Sequence, residues 1–447
     1  MRRAVLVSYY FPPDGGPGTQ RSAKLCKYLG QAGWEAWVVT RPAQKTRGAW
    51  EPEDATLLGE IGGARILRPA PMERPRGWAR AVPNLDTGHE WLEPALEEVL
   101  RLLRQEGADL VCITLSPFDL SWIGRRLQAG GARVVYDLRD PWALDGWRLY
   151  GSRRRWREDR RAMVETLSAA DGVVANTPEA GRALLKAVPL LAQDRLRVIP
   201  NGFDGEDFAE GAAPPPTLPK EEGSFELVHA GSLHTRTLYL YEGFLGRLRK
   251  WRHYRPERID TSGRTPLHLL RAVRLLREAR EGLAERLRVV FVGPADKDSR
   301  RAVEESGVGD RVLFTGYLSH AEAVGRLKRA DALFLPLHGL PEGGRSLIVP
   351  GKLYEYLAAG KPILACLPEG DAKDLVLESG RGVAADPCDA SAIARAMAEL
   401  VARAEAGAFA SSASAPAPGL KRFERRRLAV EMAAFWDELL ARRGSAA

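Results

Sequence analysis

The strongest constraint on this chain of 447 residues is an alternation between short apolar runs and longer amphipathic stretches. Several runs are apolar at successive positions, which is typical of parallel strands covered on both faces. Stretches such as 20–31 and 92–106 have the spacing of helices that bury one face. The runs of the first half are 4–9, 35–40, 108–115, 132–138, 172–176 and 196–199. This alternation predicts an α/β fold with a doubly wound parallel sheet.

The same alternation begins again after a proline-rich segment, which predicts two domains. The later apolar runs are 225–230, 287–293, 312–316, 332–337, 362–367 and 382–385. We predict a first domain over 1–209, a linker over 210–223, a second domain over 224–405, a low-complexity linker over 406–419 and a C-terminal helix within 420–447. The apolar face predicted for that helix must pack on another surface. It consists of Leu428, Met432, Phe435, Trp436 and Leu439.

Composition excludes several classes of protein. Hydrophobic residues make up 45% and charged residues 28% of the chain, as in ordinary globular proteins, which excludes collagen and coiled coils. No apolar run approaches the ~18 residues of a membrane-spanning helix. The apolar start ends at Pro12 and Pro13 without a cleavage site, so a signal peptide is not expected. Scattered cysteines and histidines indicate neither disulfides nor a metal site. We therefore expect a cytoplasmic protein without bound metal.

Residues 236–263 interrupt the alternation and carry much of the net charge of +8. From Arg236 to Arg258 there are seven basic and two acidic side chains, with aromatic residues between them. Basic amphipathic segments with aromatic residues can lie on anionic membranes, so 238–254 is a candidate for peripheral membrane contact. A helical hairpin packed on its own domain or on a second subunit is the alternative interpretation, and it is slightly favoured. Nucleic-acid binding is disfavoured, because the basic residues accompany no recognised motif.

Glycines follow the first apolar run and precede a predicted helix. Gly15 and Gly16 allow close approach of the backbone, and the amino end of the helix that follows attracts anions. A phosphate or sugar oxygen fits such a turn, although the spacing differs from the dinucleotide fingerprint GxGxxG. A plain turn between strand and helix explains the glycines equally well.

A second candidate is the segment IVPGKLYEYLAAGKPIL, which begins at residue 348. Here Lys352 stands at the predicted start of a short helix, a position that favours a nearby anion over a cation. Glu355 is three residues further on and faces the same side. A cation beside free amide groups, with a carboxylate for ribose hydroxyls, suits a nucleoside diphosphate. A solvated surface pair is the alternative interpretation.

Taken together, the ordered motifs YYFPPDGGPGTQRSAKLCKYL, DLRDPWA, VIPNGFD, HAGSLH, RTPLHLLRAV and PGKLYEYLAAGKPIL resemble the bacterial glycosyltransferases of family 4. The resemblance spans nearly the whole chain apart from 236–263 and 406–419. It implies the GT-B fold, in which two Rossmann-like doubly wound domains face a cleft and the C-terminal helix crosses back to the first domain. It also implies an acceptor bound mainly by the first domain and a nucleotide-sugar donor bound mainly by the second.

The resemblance assigns donor-binding roles by position. Glu355 matches the ribose-binding glutamate of the family, Lys352 faces the donor diphosphate, and Gly15 and Gly16 approach it from the other domain. Arg264 is the candidate for a second basic phosphate ligand. Ser232 occupies a donor-binding position where the family often has arginine. Leu347 replaces the glutamate that usually contacts the donor sugar, so recognition of the sugar must differ.

In glycosyl transfer an acceptor hydroxyl must lose a proton while charge develops on the departing diphosphate. Asp140 lies just after a predicted strand, where doubly wound sheets bind ligands, and is the candidate base, with Arg139 orienting it. Alternatively, Asp140 caps the next turn. The sequence Asp296-Lys297-Asp298 resembles a metal-binding DxD motif but is interpreted as a solvated loop.

We therefore expect a retaining, metal-independent glycosyltransferase that moves a sugar from a nucleotide-sugar donor to a glycan or lipid-linked acceptor in cell-surface polysaccharide synthesis. The alternatives are a non-catalytic sugar-nucleotide or glycan-binding scaffold and a nucleotide-sugar epimerase of the same fold. Leu347 and Ser232 motivate the scaffold. An epimerase needs its own acid–base pair, and none with clear spacing is present in the sequence.

Overall fold

The protein is described by a computed structural model over residues 1–43, 53–72, 89–209, 220–279, 282–409 and 419–444. The chain divides into two compact units, and each is described by itself. The first unit comprises Met1–Gly202 and Phe423–Ala447, and the second comprises Phe203–Arg422. The parts of the predicted linkers at 210–219 and 410–418 lie outside the described residues.

The first unit is built on a parallel sheet. Its strands are β1 (Arg2–Val7), β2 (Trp34–Val39), β3 (Arg65–Leu67), β4 (Leu110–Leu115), β5 (Val134–Leu138), β6 (Gly172–Ala175) and β7 (Leu196–Val198). Over the described residues the order is β3-β2-β1-β4-β5-β6-β7. Its helices are α1 (Pro17–Leu29), α2 (His89–Gln105), α3 (Ser121–Ala129), α4 (Arg153–Ala169) and α5 (Pro178–Ala187). The predicted α/β alternation is confirmed, and the edge strand β3 is one that the sequence analysis missed.

Successive residues of β1 point to opposite faces of this sheet, and both faces are buried. Val5 and Val7 join a core formed with α2, α3, α4 and α5, whereas Ala4 and Leu6 join a second core on the other face. This explains why the strand is apolar at successive positions instead of alternating. The doubly wound arrangement predicted for this domain is therefore confirmed.

The C-terminal helix packs on the first unit, as predicted. Arg425–Gly444 forms this helix, which lies beside α1. The five residues predicted to share its apolar face are all buried in the core of that side: Leu428, Met432, Phe435, Trp436 and Leu439. The ring of Trp436 meets the ring of Trp34 edge-on at 5.1 Å between centroids. The segment thereby covers a sheet face that would otherwise be exposed.

The second unit repeats the architecture. Its strands are β8 (Phe225–Ala230), β9 (Leu287–Val292), β10 (Val312–Gly316), β11 (Ala332–Pro336), β12 (Ile363–Cys366) and β13 (Gly382–Ala385). Over the described residues they form a parallel sheet in the order β10-β9-β8-β11-β12-β13. The helices are α6 (Arg236–Tyr239), α7 (Gly243–Arg252), α8 (Leu267–Glu278), α9 (Leu283–Arg286), α10 (Lys297–Ser306), α11 (His320–Arg329), α12 (Gly351–Ala359), α13 (Asp371–Glu378) and α14 (Ala390–Glu405).

Most element boundaries lie within a few residues of the predictions. The short helix predicted from Lys352 begins at Gly351 and ends at Ala359, and it is followed by Gly360, whose φ of 71° suits a glycine at a helix end. Arg264, the candidate second phosphate ligand, closes a one-turn 3₁₀ helix, Thr261–Arg264, that precedes α8. Asp296 caps α10 by accepting a hydrogen bond from the Ser299 amide at 2.7 Å, and Lys297 and Asp298 form the first turn of that helix, so the DxD sequence lies at a helix start and not in the predicted loop. No helix among the described residues meets the length and apolarity needed to cross a bilayer.

Candidate functional site

The order of strands in the second unit reverses between β8 and β11. On one side of this point the sheet continues with β9 and β10, and on the other side it continues with β12 and β13. In doubly wound sheets the carboxyl ends of the strands at such a reversal form the usual ligand-binding crevice. Residues that follow β8 and β11, including the start of α12, therefore define the candidate site of this unit.

A hydrogen-bonded chain of three residues crosses this reversal. His229, near the end of β8, has its Nδ1 2.9 Å from the carbonyl oxygen of Phe334 on β11. Since a carbonyl can only accept, Nδ1 carries the proton and Nε2 is left as an acceptor. Nε2 lies 3.1 Å from Nζ of Lys352, at the start of α12. The imidazole thus fixes the position of the lysine side chain relative to two strands.

The turn after β8 brings the main chain close to the same ammonium group. Gly231 has a φ of 107°, which side chains other than glycine rarely tolerate. A Cβ atom at this position would lie 2.9 Å from Lys352 Nζ. The backbone conformation therefore favours glycine, and a larger residue would have to displace the lysine ammonium.

We call Arg264, Lys352, His229, His234 and His338 the basic cluster. Burial and the positive charge of Arg264 lower the pKa of Lys352 to about 7, while Glu355 acts in the opposite direction. Burial and the same cations hold the pKa values of His229 and His234 well below the usual range for histidine. Burial, with Arg264 and Arg255, lowers the pKa of His338 to about 3.

The imidazoles of the basic cluster are thus neutral at physiological pH, and its positive charge comes from Arg264 and from Lys352 where the lysine is protonated. Two cations held close together with partial burial repel each other unless an anion lies between them. A bound anion carrying more than one negative charge would relieve this repulsion. A phosphate or diphosphate group has the required charge and acceptor oxygens.

Helix α12 also presents the predicted carboxylate. The hydroxyl of Tyr356 accepts a hydrogen bond from the Ala230 amide at 2.9 Å, which anchors α12 to the end of β8. Glu355 precedes this buried tyrosine and is partly exposed. Ser232 directly follows Gly231 and is partly exposed as well. The structure therefore groups Lys352, Glu355, Ser232 and Arg264 at one edge of this sheet.

The first unit has a buried ion pair close to the residues predicted from its sequence. Arg21 of α1 donates to both carboxylate oxygens of Asp137 at 2.8 and 2.7 Å. The same guanidinium donates to the carbonyl oxygens of Ile199 and Pro200 at 2.9 and 2.8 Å. Side-chain exposure is 7% for Arg21 and 1% for Asp137. This pair joins α1, β5 and the end of β7.

The predicted glycine turn and Arg139 meet in the first unit. Gly16, with a φ of 87°, precedes α1. A Cβ on Gly18 would lie 2.8 Å from Nη1 of Arg139, so the guanidinium rests against the first turn of this helix. The structure thus brings Gly15, Gly16 and Arg139 to the same edge of this sheet.

Asp140 lies in the turn that leaves β5. Its main-chain carbonyl accepts from the Trp142 amide at 2.8 Å, and the following 3₁₀ turn has Pro141 at its N-cap with no side-chain cap. The capping role that we considered for the Asp140 carboxylate is therefore not what forms this turn. Trp142 has a φ of 50°, an uncommon value that marks a strained position beside the partly exposed carboxylate.

Sequence reasoning missed His229, His234 and Gly231, although all three belong to the motif HAGSLH. The available signal was a histidine and a glycine at the carboxyl end of a predicted strand. It also missed the pairing of Arg21 with Asp137. Both partnerships join residues more than a hundred positions apart, and nothing in their local sequence indicates the partner.

Two family models match the chain. Residues 18–207 match Glycosyltransferase Family 4, and residues 262–403 match Glycosyl transferases group 1. Among curated proteins, the chain is 26% identical over 320 residues to 2-deoxystreptamine glucosyltransferase of Streptomyces kanamyceticus. The aligned region covers 67% of this chain and 70% of that protein.

Solved structures show the same fold. Sucrose-phosphate synthase from Thermosynechococcus elongatus superposes with a TM-score of 0.58 and 18% identity, covering 100% of this chain and 98% of the other. A Listeria monocytogenes structure assigned as UDP-N-acetylglucosamine 2-epimerase gives a TM-score of 0.57 at 14% identity, with 97% and 95% covered. At these identities the likeness concerns the fold, which enzymes of different activity share.

Proposed function

Since the chain is a glycosyltransferase family 4-like protein with the GT-B fold, we propose that it moves a sugar from a nucleotide-sugar donor to a glycan or lipid-linked acceptor in cell-surface polysaccharide synthesis. The family matches support glycosyl transfer. We infer a nucleotide-sugar donor from the basic cluster, which lies at the strand reversal of the second unit. Its two cations suit the diphosphate that joins nucleoside and sugar. Glu355, which is partly exposed on α12, is proposed to accept hydrogen bonds from the ribose hydroxyls.

The proposed chemistry follows from where charge develops. When the bond between sugar and diphosphate breaks, negative charge accumulates on the departing phosphate. Lys352 and Arg264 stabilise this charge, and their partial burial strengthens the interaction. We propose that these cations replace a divalent metal and that the transfer retains the anomeric configuration.

The acceptor hydroxyl requires a group that takes its proton. We propose Asp140 as this base, because its carboxylate is partly exposed at the carboxyl end of β5. Arg139 is proposed to orient the reacting groups from its position against the first turn of α1. Asp137 is unsuited to this role, because both of its oxygens are engaged by Arg21 in a buried ion pair.

Thermal denaturation with UDP, GDP, CMP and dTDP tests the donor site. A nucleotide at ~100 times its dissociation constant should stabilise the native state by roughly 2.7 kcal/mol. We expect one of them to raise Tm in the wild type but not in Glu355→Ala. Glu399→Ala, which removes an exposed helical carboxylate of the same unit, is the matched control and should behave like wild type. No shift with any nucleotide would contradict the assigned site and favour the scaffold alternative.

We also propose that α7 brings the enzyme to an anionic lipid surface that carries the acceptor. Phe244, Leu248 and Trp251 lie along one side of this helix with exposures of 72%, 52% and 96%. Arg247, Lys250 and Arg252 are exposed beside them. Exposed aromatic rings flanked by cations match the requirements of the interface of an anionic bilayer.

Co-sedimentation with vesicles tests this surface. The wild type should bind vesicles of anionic phospholipid, and a Phe244→Ser/Trp251→Ser variant should lose that binding while nucleotide stabilisation is kept. Leu377→Ser, which removes another exposed leucine of the second unit, is the control. Unchanged binding by the double variant, or by protein lacking 238–254, would exclude a membrane role. A shift from dimer to monomer in the double variant would instead assign the surface to a second copy of the chain.

The remaining alternatives are separated by assays of turnover. A scaffold binds a nucleotide sugar but neither hydrolyses nor transfers it. An epimerase changes the configuration of the sugar without releasing the nucleotide. We expect slow hydrolysis of the donor without acceptor, with release of the nucleoside diphosphate, which only a transferase gives.

A further inference from the structure

The position of Lys352 has a consequence for how the second unit binds an anion. Its ammonium is held by a neutral acceptor, Nε2 of His229, at 3.1 Å. Among the described residues, the other charged or titratable groups that act on it include Arg264 before α8, His234 after β8 and Glu355 on α12. Arg264 disfavours the charged form of the lysine, and burial does so as well.

A bound diphosphate reverses this balance. Its negative charges favour the ammonium over the neutral amine, and a hydrogen bond from a charged donor is stronger than one from a neutral donor. His229 can hold Nζ at the Gly231 turn in either state, since Nε2 can accept a hydrogen bond from an amine as well as from an ammonium. The imidazole is itself fixed by its bond to Phe334 at 2.9 Å.

We propose that binding of the donor diphosphate is coupled to uptake of one proton by Lys352, and that His229 is the positioning residue that makes this coupling possible. The inference rests on the proposed donor site and adds a dependence on pH to it. It also gives a role to a buried histidine that the proposed chemistry does not use.

The expected size follows from linkage. With a pKa of about 7 in the empty site, about nine-tenths of Lys352 is neutral at pH 8 and about one-tenth at pH 6. Binding should therefore take up about 0.9 proton at pH 8 and about 0.1 at pH 6. Because a proton is bound with the ligand, affinity falls as pH rises, by about tenfold between pH 6 and pH 8.

Isothermal titration calorimetry in buffers of different ionisation enthalpy measures the uptake directly. The probes are UDP-glucose and GDP-mannose with EDTA present, because their diphosphates do not titrate between pH 6 and pH 8. Lys352→Arg keeps a permanent charge, so it should bind without proton uptake and with affinity independent of pH. Lys361→Arg is the matched control, since burial also lowers the pKa of Lys361. This residue precedes β12, so it lies at the amino end of the strands, whereas the candidate site lies at their carboxyl end. It should retain the wild-type uptake.

Two substitutions test the positioning role. His229→Leu fills the space of the imidazole without providing an acceptor, so the Lys352 side chain should move towards solvent. Proton uptake at pH 8 should then fall, and affinity for the nucleotide sugar at pH 6 should drop about tenfold. His229→Gln, with both a donor and an acceptor, should restore part of the uptake. A purely structural role would lower Tm in both variants without changing the number of protons.

The outcomes are distinguishable. Binding without proton uptake at pH 8 overturns the coupling but leaves the proposed function intact. Wild-type uptake in His229→Leu overturns the positioning role alone. Failure of both nucleotide sugars, and of UDP, GDP, CMP and dTDP, to bind at millimolar concentration overturns the donor site itself, and with it the coupling.

Discussion

Replacing Gly231 with alanine should separate a cost in stability from a cost in function. The new Cβ would lie 2.9 Å from Lys352 Nζ, at a φ of 107°. The backbone conformation should cost about 1–3 kcal/mol of folding free energy. The steric conflict itself should cost little stability, because it involves the end of a flexible side chain. It should instead displace the ammonium from His229 and from the diphosphate.

The loss of a hydrogen bond from a charged donor corresponds to about 1.5–3 kcal/mol, or roughly 10- to 100-fold in Kd. Calorimetry at pH 6.5, with whichever of UDP, GDP, CMP and dTDP stabilises the wild type best, measures this loss. Gly307→Ala is the matched control, since its φ is 73° and no heavy atom lies within 4 Å of the new Cβ. It should lower Tm and leave Kd unchanged.

Two results would refute the reasoning. Wild-type affinity in Gly231→Ala would show that the position of Lys352 does not depend on this turn. An equal loss of affinity in Gly307→Ala would show that the effect is general destabilisation. In a Lys352→Ala background, Gly231→Ala should cause little further loss, because the two changes remove the same interaction. Additive losses would instead indicate that the new methyl group blocks the ligand directly.

Three further predictions concern the first unit. Arg21→Met leaves the Asp137 carboxylate buried without a cation and should lower the free energy of unfolding by about 3–5 kcal/mol, measured as a fall in Tm. The double variant Arg21→Met/Asp137→Leu should largely restore Tm, and a fall of the same size in both proteins would contradict this. Trp436→Ala should lower the free energy of unfolding in urea by about 3–5 kcal/mol, because the Trp436 ring is fully buried against Trp34. A loss below about 1 kcal/mol would show that the C-terminal helix contributes little to the stability of the first unit. Asp140→Asn should lower the transfer rate by at least about 100-fold with unchanged nucleotide affinity, and wild-type turnover would exclude it as the base.

Local patterns in the sequence were sufficient for most of the fold. Burial on both faces requires successive apolar residues, so most strands could be located from composition over a few positions. β3 was missed because it has three residues, two of them only partly buried, and lacks that signal. The apolar face of the C-terminal helix was equally clear, because its residues recur with helical spacing.

The candidate site was predictable only where its residues are close in the sequence. Lys352 and Glu355 share one helix, and Arg139 and Asp140 follow one strand, so each pair could be proposed from spacing. Whether their assigned roles hold remains a prediction. The role of Asp140 as a cap was open in the sequence, and the structure forms that turn through a main-chain carbonyl instead.

The sequence alone determined which segments become strands and helices, because backbone propensity and the period of apolar residues act over a few positions. It could not determine which strands become neighbours. The order of strands in the second sheet brings His229 beside Phe334 and Lys352, and the order in the first brings Arg21 onto Asp137. Such partnerships depend on interactions that act only once the chain has packed. Burial and neighbouring charge then shift the pKa of Lys352, so its chemistry is a property of the tertiary structure.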